Sequence, residues 1–169
     1  MKIRVFFAHP ATMTTGEIEE STSLIKDDML SMIGGKSING EEIGVTVIPG
    51  RTDHKHFFPQ AGSWDKWAFD VVNRKNSTTK RRMYDLFIVP GESCGRATKS
   101  IIQNALDAPR SVLSWDSYSR EFSQVVGVRD HDSLDWNSGT QIILAKQVQV
   151  EPAQVEPEVV QLPLFPETA

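Results

Sequence analysis

The residues best suited to chemistry lie in one short loop, residues 90–98. Its glycines permit a tight turn, its hydroxyl groups can donate hydrogen bonds, and its one carboxylate can act as an acid, a base or a nucleophile. A helix that begins directly after the loop favours anionic or electron-rich ligands. The loop predicts a site for a phosphate, ribose or carboxylate, and the alternative is an ordinary strand-to-helix turn. The residues concerned are Gly91, Glu92, Ser93, Gly95, Arg96 and Thr98.

Polar residues also follow two other predicted strands. His9, Pro10 and Thr12 come after the first strand, and Asp116 ends the fourth. These groups converge with the loop if the first, third and fourth strands are neighbours in one sheet. Glu92 and Asp116 are then the carboxylates nearest to the loop, and either could serve as an acid, a base or a nucleophile. Glu17 is a third carboxylate, although its position at the start of a helix also suits a partner of the helix dipole.

The elements that must position these residues follow from hydrophobic periodicity. Strands alternate with helices, which predicts a flavodoxin/Rossmann-like three-layer sandwich with a mostly parallel sheet. In such sheets, ligands bind outside the carboxyl ends of the strands. A polar stretch, 49–63, is predicted to be a long loop. The predicted strands are 3–8, 43–48, 85–90, 111–115, 122–128 and 140–148, and the predicted helices are 14–33, the segment from 63 to 72, and 96–106.

Length and composition suit one domain with an appendage. The chain has 169 residues, of which 39% are hydrophobic and 24% are charged. Residues 1–148 are predicted to form the α/β domain, and the Pro/Glu-rich segment 149–169 a flexible, disordered tail. A single cysteine, the absence of a signal-peptide pattern and the lack of a long apolar run favour the cytoplasm and exclude a membrane partner. The net charge of −4 provides no global attraction to nucleic acid.

Several weaker candidates have ordinary structural explanations. The alternation Asp53-His-Lys-His56 and the triplet Asp130-His-Asp132 resemble metal ligands, but both are predicted to lie in loops, so no metal and no cofactor are expected. Cys94 lies near a helix N-terminus that could lower its pKa, yet no histidine is placed beside it by the sequence.

A helix with three aromatic residues precedes a run of basic residues. Trp64, Trp67 and Phe69 cannot all face one side of a helix, so one ring is expected to cap a pocket or lie on the surface, and one could stack on a base. Trp67 is the candidate for the binding site. The basic run 74–82 could contact phosphates, although without interleaved aromatic residues it more often forms a solvated face.

The chain resembles the nucleoside 2-deoxyribosyltransferase-like superfamily over about residues 3–115. The matching pieces are Val5-Phe-Phe-Ala-His-Pro10, the segment from Trp64 to Val72 with Asn73 or Asn76, Tyr84-Asp-Leu-Phe-Ile-Val89, and Gly95-Arg-Ala-Thr98 opening a helix that reaches Asn104-Ala-Leu106. The resemblance implies a flavodoxin-like sheet that binds a nucleoside or nucleotide at the strand ends. Members often build pocket walls from two subunits, so a second copy of the chain, in a homo-oligomer, is one candidate partner, and the oligomeric state is open at this point.

The sequence departs from this superfamily at one important position. The enzymes cleave or transfer an N-glycosidic bond through a nucleophilic glutamate early in the helix that follows the loop. The corresponding position here is Lys99, or Ser100 or Ile101 if the register shifts, and none is a carboxylate. Whether the chain is an enzyme is therefore open at this point; if it is, the reaction is expected at an N-glycosidic bond.

The tail carries a second resemblance. Gln161-Leu-Pro-Leu-Phe165 looks like the short peptide with which bacterial replication and repair proteins bind the DNA polymerase sliding clamp. The fixed positions of that peptide are matched by Gln161, Leu162, Leu164 and Phe165. A flexible spacer that carries apolar residues suits docking into a groove on a partner. The alternative is that these side chains fold back onto the domain.

Three functional hypotheses remain. The first is a bacterial or phage nucleotide-binding protein, tethered to the replication machinery, that binds or acts on a nucleoside or nucleotide. The second is a non-catalytic adaptor that binds the clamp or sequesters a nucleotide. The third is a TIR-like hydrolase of nicotinamide dinucleotide, which would need a helix glutamate that the sequence does not supply.

Overall fold

A computed structural model describes residues 2–33, 37–38, 40–91, 94–130 and 139–147. The predicted tail, including Gln161–Phe165, lies outside these residues, as do Glu92 and Ser93. Among the described residues, no helix combines the length and hydrophobicity needed to cross a lipid bilayer. The elements in chain order are β1 (Lys2–Phe7), α1 (Thr15–Ile33), β2 (Ser37–Ile38), β3 (Glu41–Glu42), β4 (Gly44–Pro49), α2 (Gly50–Ala61), α3 (Trp64–Asn73), β5 (Leu86–Pro90), α4 (Arg96–Asp107), β6 (Val112–Asp116), β7 (Glu121–Asp130) and β8 (Thr140–Gln147).

Six strands form one sheet in the order β4-β1-β5-β6-β7-β8. The first four strands are parallel, whereas β7 and β8 are antiparallel to their neighbours. The chain moves from β1 to one edge at β4 and then returns past β1 to β5. The strand order therefore reverses between β1 and β5, and this is where open α/β sheets bind ligands. The flavodoxin/Rossmann-like architecture predicted from the sequence is confirmed, as is the adjacency of the first, third and fourth predicted strands, which correspond to β1, β5 and β6.

Helices cover both faces of the sheet, which gives three layers. On one face, α1 buries Ile25 and Met29 against Val5 and Phe7 of β1. On the other face, the remaining helices pack on Phe6 of β1 and on its neighbours. Successive residues of β1 thus belong to opposite cores, because side chains alternate across a strand. The nearly continuous apolar sequence of β1 and β5 follows from burial on both faces.

The predicted start of α1 is confirmed by a reciprocal pair of hydrogen bonds. The backbone N–H of Glu17 donates to Thr14 Oγ1 at 3.2 Å, and the backbone N–H of Thr14 donates to a carboxylate oxygen of Glu17 at 2.8 Å. This is a capping box, in which the two residues satisfy each other's free N–H groups. The Glu17 carboxylate is therefore engaged in capping the N-terminus of α1.

The prediction of a long loop over residues 49–63 is wrong, because α2 occupies Gly50–Ala61. Local helix signals are weak there: no neighbouring side chain caps the first turn, and Pro59 lies inside the helix. The helix instead depends on tertiary contacts, in which Asp53 is fully buried and His54 packs among aromatic rings. It ends at Gly62, whose left-handed backbone (φ 79°) donates its N–H to Phe58 O.

Candidate functional site

A cavity of about 200 Å³ opens at the carboxyl end of the parallel strands, on the face covered by α2, α3 and α4. It lies beside the point where the strand order reverses. Four segments of the chain build its wall. Its lining consists of Phe6, Ala8, His9 and Ala11 from β1 and the loop after it, Gly50, Arg51 and His54 from α2, Trp64 and Trp67 from α3, and Ala97, Thr98 and Ile101 from α4.

His9 joins the end of β1 to the start of α2. The backbone N–H of Arg51 donates to His9 Nε2 at 3.1 Å, so that nitrogen is the acceptor and Nδ1 carries the proton that it donates to Pro10 O at 2.9 Å. The second residue of a helix has an N–H without an intrahelical partner, and here a distant histidine accepts it. Burial lowers the pKa of His9, and the charge of Arg51 lowers it as well. The hydrogen bond to the backbone oxygen of Pro10 acts in the opposite direction and raises the pKa. His9 is thus a neutral positioning residue with both nitrogens occupied.

Arg51 fixes the loop that follows β1. Its Nη2 donates to the backbone oxygens of Ala11 at 3.1 Å and Met13 at 2.7 Å. With the His9 contact, α2 and this loop are joined by three hydrogen bonds. Arg51 is exposed and places a positive charge at the edge of the cavity.

His54, Trp64 and Trp67 form one side of the cavity, which we call the aromatic wall. Asp53 supports this wall from inside the core. This fully buried carboxylate accepts hydrogen bonds from Trp67 Nε1 at 3.0 Å, from Arg74 Nη1 at 2.8 Å and from the Tyr84 hydroxyl. Burial raises the pKa of Tyr84, and the charge of Asp53 raises it further, which keeps the hydroxyl protonated as a donor. Arg74 also stacks on the ring of Phe57 at 3.7 Å. Asp53 is therefore a structural residue that orients Trp67.

His54 forms the centre of the aromatic wall. Its ring stacks on Phe58 (centroids 4.3 Å apart) and on Trp64 (4.7 Å), and it meets Trp67 edge-on at 5.0 Å. Its Nε2 is buried and has no hydrogen-bond partner among the described residues. Leaving such a group unpaired is costly, and because the nitrogen itself is buried, a ligand atom reaches it only if a neighbouring ring moves. Trp64 remains 54% exposed and extends the wall to the cavity mouth.

The wall opposite is the first part of α4. Ala97, Thr98 and Ile101 face the cavity, and Thr98 is buried. Lys99, which stands where the resemblance places a catalytic glutamate, bonds instead to Asp130 of β7 at 2.5 Å. The register alternative Ile101 does line the cavity but is apolar. No carboxylate lines the cavity among the residues that the structure describes.

The described lining is electrostatically suited to an anionic or electron-rich group. The N-terminal turns of α2 and α4 both reach the cavity, and the N-cap residues of these helices, Pro49 and Gly95, provide no side-chain cap. Partial positive charge at a helix N-terminus favours such groups. Arg51 adds a full positive charge, and the neutral His9 adds none.

The structure brings only some of the sequence-predicted residues to this cavity. His9, Trp67 and Thr98 line it, whereas Pro10 and Thr12 lie on either side of the lining residue Ala11 and do not line it themselves. Arg96 is the exposed first residue of α4 and Gly95 is its N-cap. Gly91 has a left-handed backbone (φ 72°), donates its N–H to Trp115 O and accepts the Ser114 hydroxyl on its carbonyl. Glu92 and Ser93 are among the residues not described.

Asp116, the other candidate carboxylate, lies at the end of β6 and is not part of the cavity wall. It accepts backbone N–H groups from Tyr118 at 2.8 Å and Ser119 at 3.4 Å. These bonds shape the turn that reverses the chain into β7, a common role for aspartate.

Sequence reasoning missed Arg51 and treated His54 only as a weak metal candidate. Within the described part of the chain, no group of three or more His, Cys, Asp or Glu residues is placed to bind a metal ion, and Asp53 is bonded to Trp67, Arg74 and Tyr84. Burial raises the pKa of the Cys94 thiol to about 11, while the charge of Lys99 slightly opposes this, so the thiol is not activated. A histidine followed by a tryptophan-rich helix was the available signal for the aromatic wall.

Comparisons of the chain with family models, with curated proteins and with solved structures found no match.

Proposed function

We propose that the protein binds a nucleoside or nucleotide, with the base in the cavity between α2, α3 and α4, and that its tail tethers it to the replication sliding clamp. The aromatic wall is the observation that supports the ligand-binding part of this proposal. Base rings stack on aromatic side chains, and Trp64, which lines the cavity and is 54% exposed, offers a ring for this, supported from behind by His54. The resemblance of residues 3–115 to nucleoside 2-deoxyribosyltransferases supports the same ligand class.

The size of the cavity limits what is enclosed. Sites that bury drug-sized ligands measure roughly 300–1,000 Å³, and this cavity measures about 200 Å³. One ring system fits inside, and the sugar and phosphate groups would extend from the mouth. There they meet Arg51 and the N-terminus of α4, whose charges suit them.

Binding is a better-supported proposal than turnover. In the superfamily that the chain resembles, an N-glycosidic bond is cleaved through a carboxylate at the sugar carbon, and the described lining offers none. Of the two candidate carboxylates, Asp116 is engaged in its turn and Glu92 lies outside the described residues. A bacterial or phage cytoplasm is the setting proposed for this function, since nucleotides and the clamp meet there.

The ligand proposal is tested by titrating the full chain with free bases, nucleosides and nucleotides while tryptophan fluorescence and heat are recorded. Trp64→Ala should weaken binding by about 5- to 150-fold, because base–aromatic stacking contributes about 1–3 kcal/mol. Phe69→Ala is the matched control: Phe69 lies on the same helix with 55% exposure but does not line the cavity. Equal affinities for both variants, or no binding of any compound, would refute the proposal.

Turnover is tested separately by incubating the protein with nucleosides, deoxynucleotides and nicotinamide dinucleotide and measuring released base. We expect no release. Release from a nucleoside that Glu92→Gln abolishes would establish an N-glycosidic enzyme, and release from the dinucleotide would favour the TIR-like alternative.

The tether rests on the tail sequence Gln161-Leu-Pro-Leu-Phe165. Leu164→Ala combined with Phe165→Ala should abolish recovery of a bacterial sliding clamp in a pull-down, because the two apolar side chains are the anchors that a groove would bury. Val159→Ala combined with Val160→Ala, in the same tail, should leave recovery unchanged. Equal recovery of the clamp with all three proteins would exclude docking through this peptide.

A further inference from the structure

A second concave site lies at the opposite end of the sheet from the aromatic cavity. It has a volume of about 200 Å³ and is lined by Arg4, Asn76, Thr79, Arg81, Arg82, Met83 and Asp85. Arg4 belongs to the amino-terminal end of β1, and the other residues belong to the segment that joins α3 to β5. We call this depression the basic groove.

The segment 75–82 is folded into a short hairpin, so its charges have fixed places. Lys75 pairs with Arg82 in an antiparallel bridge, and the Asn76 N–H donates to Arg81 O at 2.7 Å. The Asn76 side chain accepts the N–H groups of Thr78 at 2.9 Å and Thr79 at 3.0 Å, which closes the turn. The hairpin is joined to β1 through Asp85, whose N–H donates to Arg4 O at 2.8 Å and whose carboxylate accepts the Arg4 N–H at 2.9 Å.

Positive charge is concentrated around the groove. Residues 74–82 include five basic residues and no acidic one, in a chain whose net charge is −4. Lys75, Lys80, Arg82 and Arg4 are exposed. The pKa of the neighbouring Arg110 is lowered to about 10, chiefly by burial and also by the positive charge of Arg82, while the charge of Asp85 opposes both. A local charge cluster of this kind can attract a polyanion despite the opposite net charge.

We propose that the basic groove binds the phosphodiester backbone of nucleic acid. Exposed lysine and arginine side chains, together with the amide of Asn76 and the hydroxyl of Thr79, are the donors that proteins use for phosphate oxygens. Among the described residues, none that lines the groove is aromatic, so no base stacks there and recognition is of the backbone, independent of sequence.

A nucleic acid fits these observations better than a membrane surface does. The hairpin tip is Asn-Ser-Thr-Thr-Lys, residues 76–80, and presents no apolar side chain that could enter a bilayer. Arg81 and Asp85 take part in other interactions. The proposed binding surface consists of the exposed Arg4 and Arg82, which line the groove, and of the exposed Lys75 and Lys80, which flank it on the hairpin.

The test measures binding of the full chain to a labelled 20-nucleotide duplex and to the single strand of the same sequence, by fluorescence anisotropy at 50–200 mM salt. With four phosphate contacts, the slope of log K against log salt should be about −3.6 for the duplex and about −2.8 for the single strand. The arm that binds more tightly identifies the form that is recognised. No nucleotide and no clamp are present, so the result is independent of the function proposed above.

The decisive variant combines Lys75→Gln with Lys80→Asn; asparagine is chosen because Lys80 has a φ of 61°, which asparagine tolerates. For the duplex, the slope should shrink by about 1.8, and affinity at 0.1 M salt should fall by about 60-fold. The matched control combines Lys26→Gln with Lys66→Gln, two exposed lysines on α1 and α3. It changes the net charge by the same amount and should bind like the wild type.

Two outcomes would overturn the proposal. One is an equal loss of affinity in both double variants, which would show that only net charge matters. The other is binding to phosphatidylserine vesicles, dependent on Lys75 and Lys80, without binding to either DNA. Thermal melting of each variant confirms that any loss occurs in a folded protein.

Discussion

Removing the Asp53 carboxylate is the most direct test of how the cavity wall is held. In Asp53→Ala, three donors lose their acceptor: Trp67 Nε1, Arg74 Nη1 and the Tyr84 hydroxyl. The Asp53 side chain is fully buried, and that of Arg74 is only 16% exposed. The variant therefore leaves a nearly buried guanidinium without its counter-charge, and two neutral donors without a partner.

The expected loss of stability is large compared with that of a surface pair. Breaking a buried ion pair from one side costs about 3–5 kcal/mol. Because Arg74 can still reach water and stack on Phe57, we expect a value near the lower end, about 3 kcal/mol. Asp70→Ala, which removes an exposed i,i+4 pair with Lys66, should cost less than about 0.5 kcal/mol.

Urea unfolding followed by tryptophan fluorescence measures both values. The same substitution in an Arg74→Met background should cost at least about 1 kcal/mol less, because contacting residues couple by about 0.5–3 kcal/mol. A loss below 1 kcal/mol for Asp53→Ala, or an identical loss in both backgrounds, would refute the assignment of Asp53 as the acceptor that holds this network.

Three further predictions concern two glycines, His9 and Cys94. Gly50→Ala should destabilise the fold by about 1–3 kcal/mol, because its Cβ would lie 3.2 Å from the Phe6 ring and 3.3 Å from a backbone oxygen. Gly16→Ala in α1, with nothing within 4 Å, should stabilise by about 0.4–1 kcal/mol, and urea unfolding measures both. The lowered pKa of His9 means that, below its ordinary value of 6.5, the unfolded chain binds a proton that the folded chain does not. Stability should therefore fall as pH decreases from 7 to 5, and His9→Gln should reduce this fall. With a pKa of about 11 instead of 9.0, Cys94 should have an about 100-fold smaller thiolate fraction at pH 8, and iodoacetamide should modify it far more slowly in the folded than in the urea-unfolded protein.

Each of these has a clear contrary result. Equal stability of the Gly50 and Gly16 variants would remove the close contact as an explanation. An unchanged pH profile in His9→Gln would mean that other groups control it. Equal alkylation rates in folded and unfolded protein would show that the thiol is accessible.

The sequence predicts those parts of the fold that carry their own signals. β1 and β5 have uninterrupted apolar runs, and α1 has both a three- and four-residue periodicity and a capping box at Thr14. α2 escaped prediction for a physical reason. The N–H of Arg51 in its first turn is accepted by His9, which lies 42 residues away in the sequence. The buried Asp53 carboxylate accepts hydrogen bonds from residues that lie 14–31 positions further along the chain.

The residues of the candidate site could likewise be predicted only where the sequence itself carries a signal for the element that holds them. Strand ends are visible in the sequence, so His9 and Thr98 were placed at the correct end of the sheet. Arg51 and His54 belong to the helix that was missed, and their contribution could not be foreseen without it. Whether Glu92 reaches the ligand stays a prediction.

The double role of Trp67 constrains how the specificity of this protein can evolve. Its ring forms the cavity wall while its indole nitrogen is bonded to Asp53 in the core. A change there alters the ligand site and the fold together, so selection for a new ligand is expected to avoid it. Ala11, Trp64 and Ala97 line the same cavity but are exposed, and substitutions at these positions offer the accessible route to a different ligand.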